Sequence, residues 1–186
     1  ATADKTEYEY KKPVMPERVT ETIRNEDIEK ALEMIQEAKR PFIFVGGGSV
    51  ISGASEAVNT FAHKVHAPVC DSLMGKGAFN GTDPLYTGML GMHGTKSSNF
   101  GAAHFDLLIT LGARFSDRVT GDTSRFAKKA KILQIDIDPA EINKNVLVSG
   151  SVIGDVKSVL DILNEKLPDM KHEAWIEEVE ALKNQY

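Results

Sequence analysis

The sequence has almost no cysteine. Cys70 is the single cysteine among 186 residues, so no disulfide can form within the chain. It lies in an apolar run typical of a strand, which indicates a small core residue. A chain without disulfides fits a reducing compartment, and we expect a cytoplasmic protein.

Long apolar runs and a basic face are also missing. No apolar run approaches the length that spans a membrane. The net charge is −5, from 22 basic and 27 acidic residues, and the acidic residues are scattered along the chain. These features argue against nucleic acid and anionic membrane as partners. Because the chain begins at Ala1 rather than at methionine, we expect it to be a piece of a longer protein.

The order of polar and apolar segments predicts one folded domain with a tail at each end. Residues 1–22 are charged and turn-rich, which indicates a linker or tail. Residues 23–168 alternate short apolar strands with amphipathic helices and form the predicted central domain. Residues 169–186 predict a C-terminal linker helix, because their apolar residues recur at helical spacing. This alternation indicates an α/β, Rossmann-like fold, with helices on both faces of a mostly parallel sheet.

Several local signals predict where elements begin and end. Asn25 is the predicted N-cap of the first helix, since its side chain can accept a backbone hydrogen bond. A glycine-rich loop is expected from Gly75 to Gly88. Asp155 is predicted to cap the helix that ends before Pro168. Asp136 and Asp138 end a strand; we expect either a ribose contact or a sheet edge and helix cap there.

The stretch from Gly88 to Gly121 carries the main functional prediction. Its glycines lack Cβ atoms and therefore permit close approach of a ligand to the backbone. Arg114 and Arg118 follow an apolar strand, at the edge where open α/β sheets bind ligands. The arginine guanidinium can bind a phosphate group through two N–H donors at once. The stretch therefore predicts a site for a phosphorylated cofactor.

A second glycine run lies between a strand and a helix. Gly46-Gly47-Gly48 resembles a phosphate-binding turn, although a tight turn alone also explains it. The dinucleotide fingerprint GxGxxG fails because Ile51 occupies its last position, and the Walker A pattern is absent.

The histidines give weaker signals. We expect His93 to be either a ligand contact or, less readily, a general base. His63 and His66 lack further metal-type partners and are interpreted as structural.

The chain resembles the central domain of the acetolactate synthase family, large catalytic subunits that use thiamine diphosphate. Five segments carry the resemblance, which extends from about Ile28 to Leu167. They are FVGGGSV at 44–50, DSLMGKGAF at 71–79, GMLGMHGT at 88–95, LGARFSDRVTG at 111–121 and QIDIDPAEINK at 134–144. The third and fourth segments resemble the biosynthetic, FAD-containing branch. Ser116 departs from the acid more usual in this pattern, and Asp136 stands where related chains often carry Glu.

The resemblance implies a six-stranded parallel sheet with FAD across the strand ends. Its diphosphate and ribityl contacts are expected at Gly46, Gly47, Gly48, Gly112, Ala113 and Arg114. The middle and flavin end of the site are expected at Ser72, Leu73, Met74, Leu90, Gly91, Met92 and His93. Further cofactor contacts are expected to follow at Asp117, Arg118 and Val119. The adenosine part is expected near Asp136, Ile137, Asp155 and Val156. FAD is expected to be structural, because the family's reaction involves no net redox change.

The resemblance also implies what this chain leaves to the rest of its protein. The family's thiamine-activating glutamate and its motif for Mg²⁺ and the diphosphate lie in flanking domains, so no catalytic residue or metal ligand is expected here. The intact enzyme is expected to condense pyruvate with pyruvate or 2-oxobutanoate on thiamine diphosphate, in branched-chain amino-acid biosynthesis. Expected partners are the flanking domains, further copies of the catalytic subunit and a small regulatory subunit.

Two alternatives stay open from the sequence. The chain could be the middle domain of another thiamine-diphosphate enzyme, such as glyoxylate carboligase or pyruvate oxidase. It could also be a stand-alone nucleotide-binding module without an enzyme around it.

Overall fold

The computed structural model describes residues 23–121, 126–127 and 130–183. The predicted tail at residues 1–22 lies outside the described residues. The helices are α1 Asn25–Glu37, α2 Gly47–Ile51, α3 Ser55–Val65, α4 Lys96–His104, α5 Asp117–Thr120, α6 Val156–Lys166 and α7 Glu173–Lys183. The strands are β1 Pro41–Val45, β2 Val69–Asp71, β3 Tyr86–Met89, β4 Leu107–Leu111, β5 Lys131–Asp136 and β6 Gly150–Ile153. Short 3₁₀ turns occupy Leu73–Gly75 and Pro139–Glu141.

The six strands form one sheet in the order β3-β2-β1-β4-β5-β6. All five neighbouring pairs are parallel. The predicted α/β fold is therefore confirmed, and the sheet is wholly rather than mostly parallel. The chain adds β2 and β3 on one side of β1 and then crosses to place β4, β5 and β6 on the other side. This reversal beside β1 opens a crevice at the carboxyl ends of the strands, where open α/β sheets bind ligands.

Two apolar cores cover the two faces of the sheet. Alternate residues of a strand point to opposite faces. In β1, Ile43 and Val45 join the core formed with α1, α3 and α6, whereas Phe42 and Phe44 join the core beneath α4 and α7. The central strands β1 and β4 are buried along their whole length, which explains their continuous apolar sequences.

The C-terminal helix α7 packs on the second face of the sheet. Trp175 is buried, and its indole N–H donates a 2.9 Å hydrogen bond to the carbonyl of Pro41. The Arg40 guanidinium lies 5.2 Å from the centre of the Trp175 ring and pairs with Glu178 at 2.9 Å. His172 lies just before the helix, and its backbone N–H donates a hydrogen bond to Nδ1 of His66 at 3.0 Å. The division of the chain between residues 168 and 169 stays a prediction.

Two local predictions are wrong. Arg24, not Asn25, occupies the N-cap of α1, with an extended backbone and no capping hydrogen bond from its side chain. The loop predicted from Gly75 to Gly88 contains the start of β3. Its sequence, Tyr-Thr-Gly-Met, lacks a run of branched apolar residues because β3 is an edge strand. The cap predicted at Asp155 is confirmed: its carboxylate accepts the Ser158 N–H at 3.1 Å.

Candidate functional site

A cleft of about 640 Å³ opens at the carboxyl edge of the sheet. The loops that follow β1, β2, β3 and β4 form its walls, so it lies at the reversal of strand order where a ligand site is expected. Its volume is in the range of small-molecule sites. The lining residues are Gly47, Gly48, Ile51, Ser72, Leu73, Met74, Met89, Leu90, Met92, His93, Gly112, Ala113, Arg114, Ser116, Arg118 and Val119.

The floor of the cleft is the contact between the ends of β1 and β4. A Cβ atom on Gly46 would lie 2.2 Å from the Gly112 carbonyl oxygen, and one on Gly48 would lie 2.8 Å from the Gly112 Cα. The Gly46 N–H donates to Leu111 O, and the Gly48 N–H donates to Gly112 O, both at 2.9 Å. These glycines therefore let two backbone segments touch, and two of their N–H groups already bind protein oxygens.

The glycines at the end of β3 and in the loop after it are likewise required by the protein itself. A Cβ atom on Gly88 would lie 2.4 Å from the Thr95 methyl group, and one on Gly94 would lie 2.5 Å from Met89 O. Gly91 has a φ of +103°, which L side chains rarely adopt. Close approach of a ligand was the reason the sequence suggested for these glycines. The structure gives a sufficient reason within the fold, so a ligand contact at Gly91 stays a prediction.

One wall of the cleft is the 3₁₀ turn after β2. The Ser72 side chain accepts the Gly75 N–H at 3.1 Å and so closes the turn. Leu73 and Met74 point outward, with 71% and 75% of their surface exposed. Among the described residues, seven large apolar side chains are exposed, and Ile51, Leu73, Met74 and Met92 all line this cleft. Such a concentration of exposed apolar surface is typical of a binding site.

A hydrogen-bonded cluster around the buried Asp71 supports that wall from behind. Asp71, the last residue of β2, is 4% exposed, and the Tyr86 hydroxyl donates to it at 2.7 Å. Lys76 Nζ lies 3.5 Å from the other carboxylate oxygen. Burial, and then the hydrogen bond to Asp71, raise the pKa of Tyr86 above its usual value. The phenol therefore stays a neutral donor and ties β2 to β3.

The opposite wall carries the positive charge. Arg114 follows β4, and 78% of its side chain is exposed. Its Nε lies 3.6 Å from Oε1 of the buried Glu141, which Lys144 contacts at 2.8 Å. Arg118 lies on α5, and its side chain also lines the cleft. The arrangement offers two exposed guanidinium groups beside apolar walls, which suits a ligand with an anionic part and a flat apolar part.

The structure brings most of the predicted site residues together. Thirteen of the twenty line the cleft, namely Gly47, Gly48, Ser72, Leu73, Met74, Leu90, Met92, His93, Gly112, Ala113, Arg114, Arg118 and Val119. Gly46 and Gly91 lie behind this lining in backbone contacts, and Asp117 begins α5. Asp136 ends β5, Ile137 follows it, and Asp155 and Val156 follow β6, all at the same edge of the sheet and outside the cleft lining.

The aspartates near β5 and β6 have local partners. Asp136 is 7% exposed, and its Oδ1 accepts the Asp138 N–H at 3.0 Å. Burial is the main cause that raises the pKa of Asp136 above its usual value. Asp138 in turn caps the 3₁₀ turn that begins at Pro139. The helix-cap explanation given for Asp138 and Asp155 is thus confirmed, while a contact to a ribose stays a prediction.

Sequence reasoning missed several residues of the site. Ile51, Met89 and Ser116 line the cleft although none was predicted there. Ile51 breaks the GxGxxG pattern and Ser116 departs from the family's acid, so neither position carried a sequence signal for a ligand contact. Glu141, which lies close to Arg114, follows the next strand, and parallel pairing of β4 with β5 was the signal that could have placed it.

Other candidate groups have structural surroundings. His63 pairs with Asp83 at 2.9 Å, and His66 accepts the hydrogen bond from the His172 backbone. In the described parts of the chain, no group of three His, Cys, Asp or Glu side chains is arranged to hold a metal ion. The same residues contain no helix both long and apolar enough to cross a membrane. Cys70 is buried, and this burial raises its pKa well above the usual value.

Comparisons with known proteins give the fold a family context. A protein of Methanocaldococcus jannaschii named "Probable acetolactate synthase large subunit" is 50% identical over 159 residues, 84% of this chain and 27% of that protein. The acetolactate synthase large subunit of Cyanidium caldarium is 45% identical over 169 residues, 86% of this chain and 28% of that protein. This chain thus spans a little over a quarter of the length of these relatives.

A solved structure and a family model agree with these relatives. The structure, from Mycobacterium smegmatis, is described as thiamin diphosphate-dependent; it is 29% identical, with a TM-score of 0.66, over 79% of this chain and 28% of that one. The family model of the thiamine pyrophosphate enzyme central domain matches residues 28–163. The resemblance expected from the sequence is confirmed at this level. The chain belongs to the thiamine pyrophosphate enzyme central-domain family.

Proposed function

We propose that this chain is the central domain of an acetolactate synthase large subunit and that its cleft binds FAD. The observation that carries the cofactor proposal is the joint presence, in one cleft, of exposed apolar side chains and two exposed arginines. The names of the relatives support the parent enzyme. As the parent enzyme's activity, we propose condensation of pyruvate with pyruvate or 2-oxobutanoate, with thiamine diphosphate and Mg²⁺ held by other domains.

The residues of the cleft fit a flavin dinucleotide. Leu73, Met74 and Met92 expose apolar surface that a flat ring system would cover, and covering it is favourable by about 25 cal/mol per Å². Arg114 extends from the end of β4 with most of its guanidinium accessible and can pair with a diphosphate. Glu141 Oε1 lies 3.6 Å from Nε of Arg114, and this leaves the two terminal NH₂ groups of the guanidinium for an anion.

The chain's own residues would orient and shield the cofactor rather than react. Gly112, Ala113 and Arg114 would hold the diphosphate, and the segment 90–93 with Leu73 and Met74 would cover the flavin end. Asp136 and Asp155 would face the adenosine part, each through a carboxylate oxygen not used in its own hydrogen bond. FAD supplies no redox step to the condensation in this proposal. No residue of this chain is assigned to catalysis.

Titration with FAD tests the cofactor assignment. The purified chain and the full-length protein that carries it are titrated, with flavin fluorescence as the signal. Arg114→Ala should weaken binding about 10- to 100-fold, because a charge-assisted pair with the diphosphate contributes roughly 1.5–3 kcal/mol. Arg24→Ala is the matched control, since Arg24 pairs only with the exposed Glu26 in the described contacts. A full-length protein that takes up no FAD would overturn the assignment.

Product analysis tests the parent enzyme separately. The full-length protein is supplied with thiamine diphosphate, Mg²⁺, FAD and either pyruvate or glyoxylate, and acetolactate and the other products are measured. Acetolactate formation is expected. Conversion of glyoxylate, or oxidation of pyruvate, in its place would assign the domain to one of the two other enzymes considered. This assay and the FAD titration fail independently, because a cofactor site can exist in any of the three.

A further inference from the structure

The loop after β3 contacts the wall of the cleft that carries the arginines. The loop after β3 carries Met92 and His93, and α5 carries Arg118. The Met92 N–H donates to the Arg118 carbonyl at 2.9 Å. Next to this bond, a Cβ atom on Gly91 would lie only 2.3 Å from the same carbonyl oxygen. The position of Gly91 therefore decides how Met92 and His93 stand relative to Arg118.

A single side chain outside the cleft holds Gly91. Asn99, on α4, donates from Nδ2 to the Gly91 carbonyl at 3.1 Å, and its Oδ1 accepts the Gly91 N–H at 3.1 Å. Both backbone polar groups of Gly91 are thus bound by one amide, and the Gly91 carbonyl also accepts the Gly94 N–H at 2.8 Å. Asn99 is exposed and is not among the cleft-lining residues. Its amide binds the backbone of the loop that carries Met92 and His93.

The helix that carries Asn99 is itself fixed to the sheet. The Thr95 side chain caps α4 by accepting the Ser98 N–H at 3.1 Å. The buried Ser98 hydroxyl lies 2.8 Å from the Thr87 hydroxyl in β3. A Cβ atom on Gly101 would lie 2.5 Å from the Phe42 ring, so the helix sits directly on β1. Asn99 therefore connects Gly91 to a rigid part of the fold.

We propose that Asn99 is a positioning residue for this cleft: it fixes Gly91, and through Gly91 it sets Met92 and His93 over the cofactor site. The proposal rests on FAD binding as proposed above. An amide suits this place because Gly91 presents both its N–H and its carbonyl to Asn99, and only a group with an acceptor and a donor can bind the two. Aspartate would accept the Gly91 N–H but place a carboxylate against the Gly91 carbonyl. Asparagine in a helix interior is otherwise less favourable than alanine.

The test measures loop order and cofactor affinity in the same variants. Asn99→Ala in the full-length protein should weaken FAD binding about tenfold, the effect of losing roughly one net hydrogen bond. Hydrogen exchange, followed by mass spectrometry of a peptide covering residues 89–95, should be about tenfold faster at Gly91 and Met92. The urea midpoint should fall by no more than about 0.5 M, because a loss of about 1 kcal/mol is partly offset by the better helix propensity of alanine. Asn59→Ala is the matched control, because Asn59 lies in the middle of α3 on the other face of the sheet.

The outcomes separate this proposal from the cofactor assignment. Faster exchange with weaker FAD binding in Asn99→Ala, and neither in Asn59→Ala, supports the proposal. Asn99→Asp should also speed the exchange and weaken FAD binding, since it can accept the Gly91 N–H but cannot donate to Gly91 O. Unchanged exchange in Asn99→Ala overturns the proposal, as does unchanged FAD affinity. If the unsubstituted protein binds no FAD, the cofactor assignment fails, and the exchange of the 89–95 peptide still decides whether Asn99 holds the loop.

Discussion

Replacement of Gly46 by alanine tests whether the floor of the cleft is a contact between strand ends. The added Cβ atom would lie 2.2 Å from Gly112 O and 2.4 Å from the Ala113 Cα, against an ordinary contact of at least 3.4 Å. Both neighbours belong to the backbone and cannot rotate away. The ends of β1 and β4 must therefore separate by more than 1 Å, which stretches the 2.9 Å bonds from the Gly46 and Gly48 N–H groups.

The expected loss follows from those two effects. Overpacking costs about 1–3 kcal/mol, and each stretched hydrogen bond about 1 kcal/mol. Together they predict that the free energy of unfolding falls by about 3–5 kcal/mol. With a urea dependence of about 2 kcal/mol per M, the unfolding midpoint should move down by roughly 2 M.

Gly47→Ala is the adjacent control for this experiment. Its added Cβ atom would lie 3.1 Å from the Met74 Cβ, in an exposed 3₁₀ turn that can move by the small distance required. Gly47 begins α2, where alanine is the better helix former, so the change should stay within about 0.5 kcal/mol. Urea unfolding followed by circular dichroism measures both variants without ligand. If Gly46→Ala proves as stable as Gly47→Ala, the strand ends are not in the contact described, and the reasoning about the floor is refuted.

Two further substitutions test other parts of the fold. Asp136→Asn should raise the free energy of unfolding at pH 7: burial raises the pKa of Asp136 in the folded state, so the charged form opposes folding. The gain, measured by urea unfolding across pH, should shrink as pH falls through the folded-state pKa and vanish below the usual value near 3.8; a gain that persists there would contradict this cause. Trp175→Ala should lower the stability by about 3–5 kcal/mol, because it empties a buried site and leaves Pro41 O without its indole donor. Equal urea midpoints for this variant and the unsubstituted protein would show that α7 is not docked.

The elements predicted correctly from the sequence are those whose own residues determine their secondary structure. The apolar runs of β1 and β4 and the helical spacing in α3 and α6 were sufficient, because burial of those side chains fixes both period and partner face. The short strand β3 was not predicted, since Tyr-Thr-Gly-Met lacks the run of apolar side chains that marks the other strands. Asn25 was misjudged as a cap because a local preference cannot reveal where the backbone turns helical; here that happens one residue earlier, after Arg24.

The sequence predicted the location of the site better than it predicted the contacts between the residues that form it. Loops at the carboxyl ends of parallel strands meet whatever their sequences, which is why residues from four separate segments converge. Contacts between distant residues were not accessible: Gly46 meets Gly112, and Asn99 holds Gly91, through geometry that neither segment encodes alone. The glycines show this best, because the absent Cβ atom signals a close approach without identifying what approaches.

The exposed side chains of the cleft separate the demands of folding from those of function. Leu73 and Met74 contribute little to the core, since more than two thirds of each is exposed. Folding alone would favour polar residues at these positions, which leave no apolar surface in water. A sequence that departs from that rule at several positions in one cleft is typical of a functional site. The same reasoning applies to Asn99, which lies in a helix where alanine would be preferred and whose amide serves only the wall beside it. The structure thus distinguishes residues that close the floor, whose substitution should lower the free energy of unfolding, from residues that face or position a ligand, whose substitution should leave that free energy nearly unchanged.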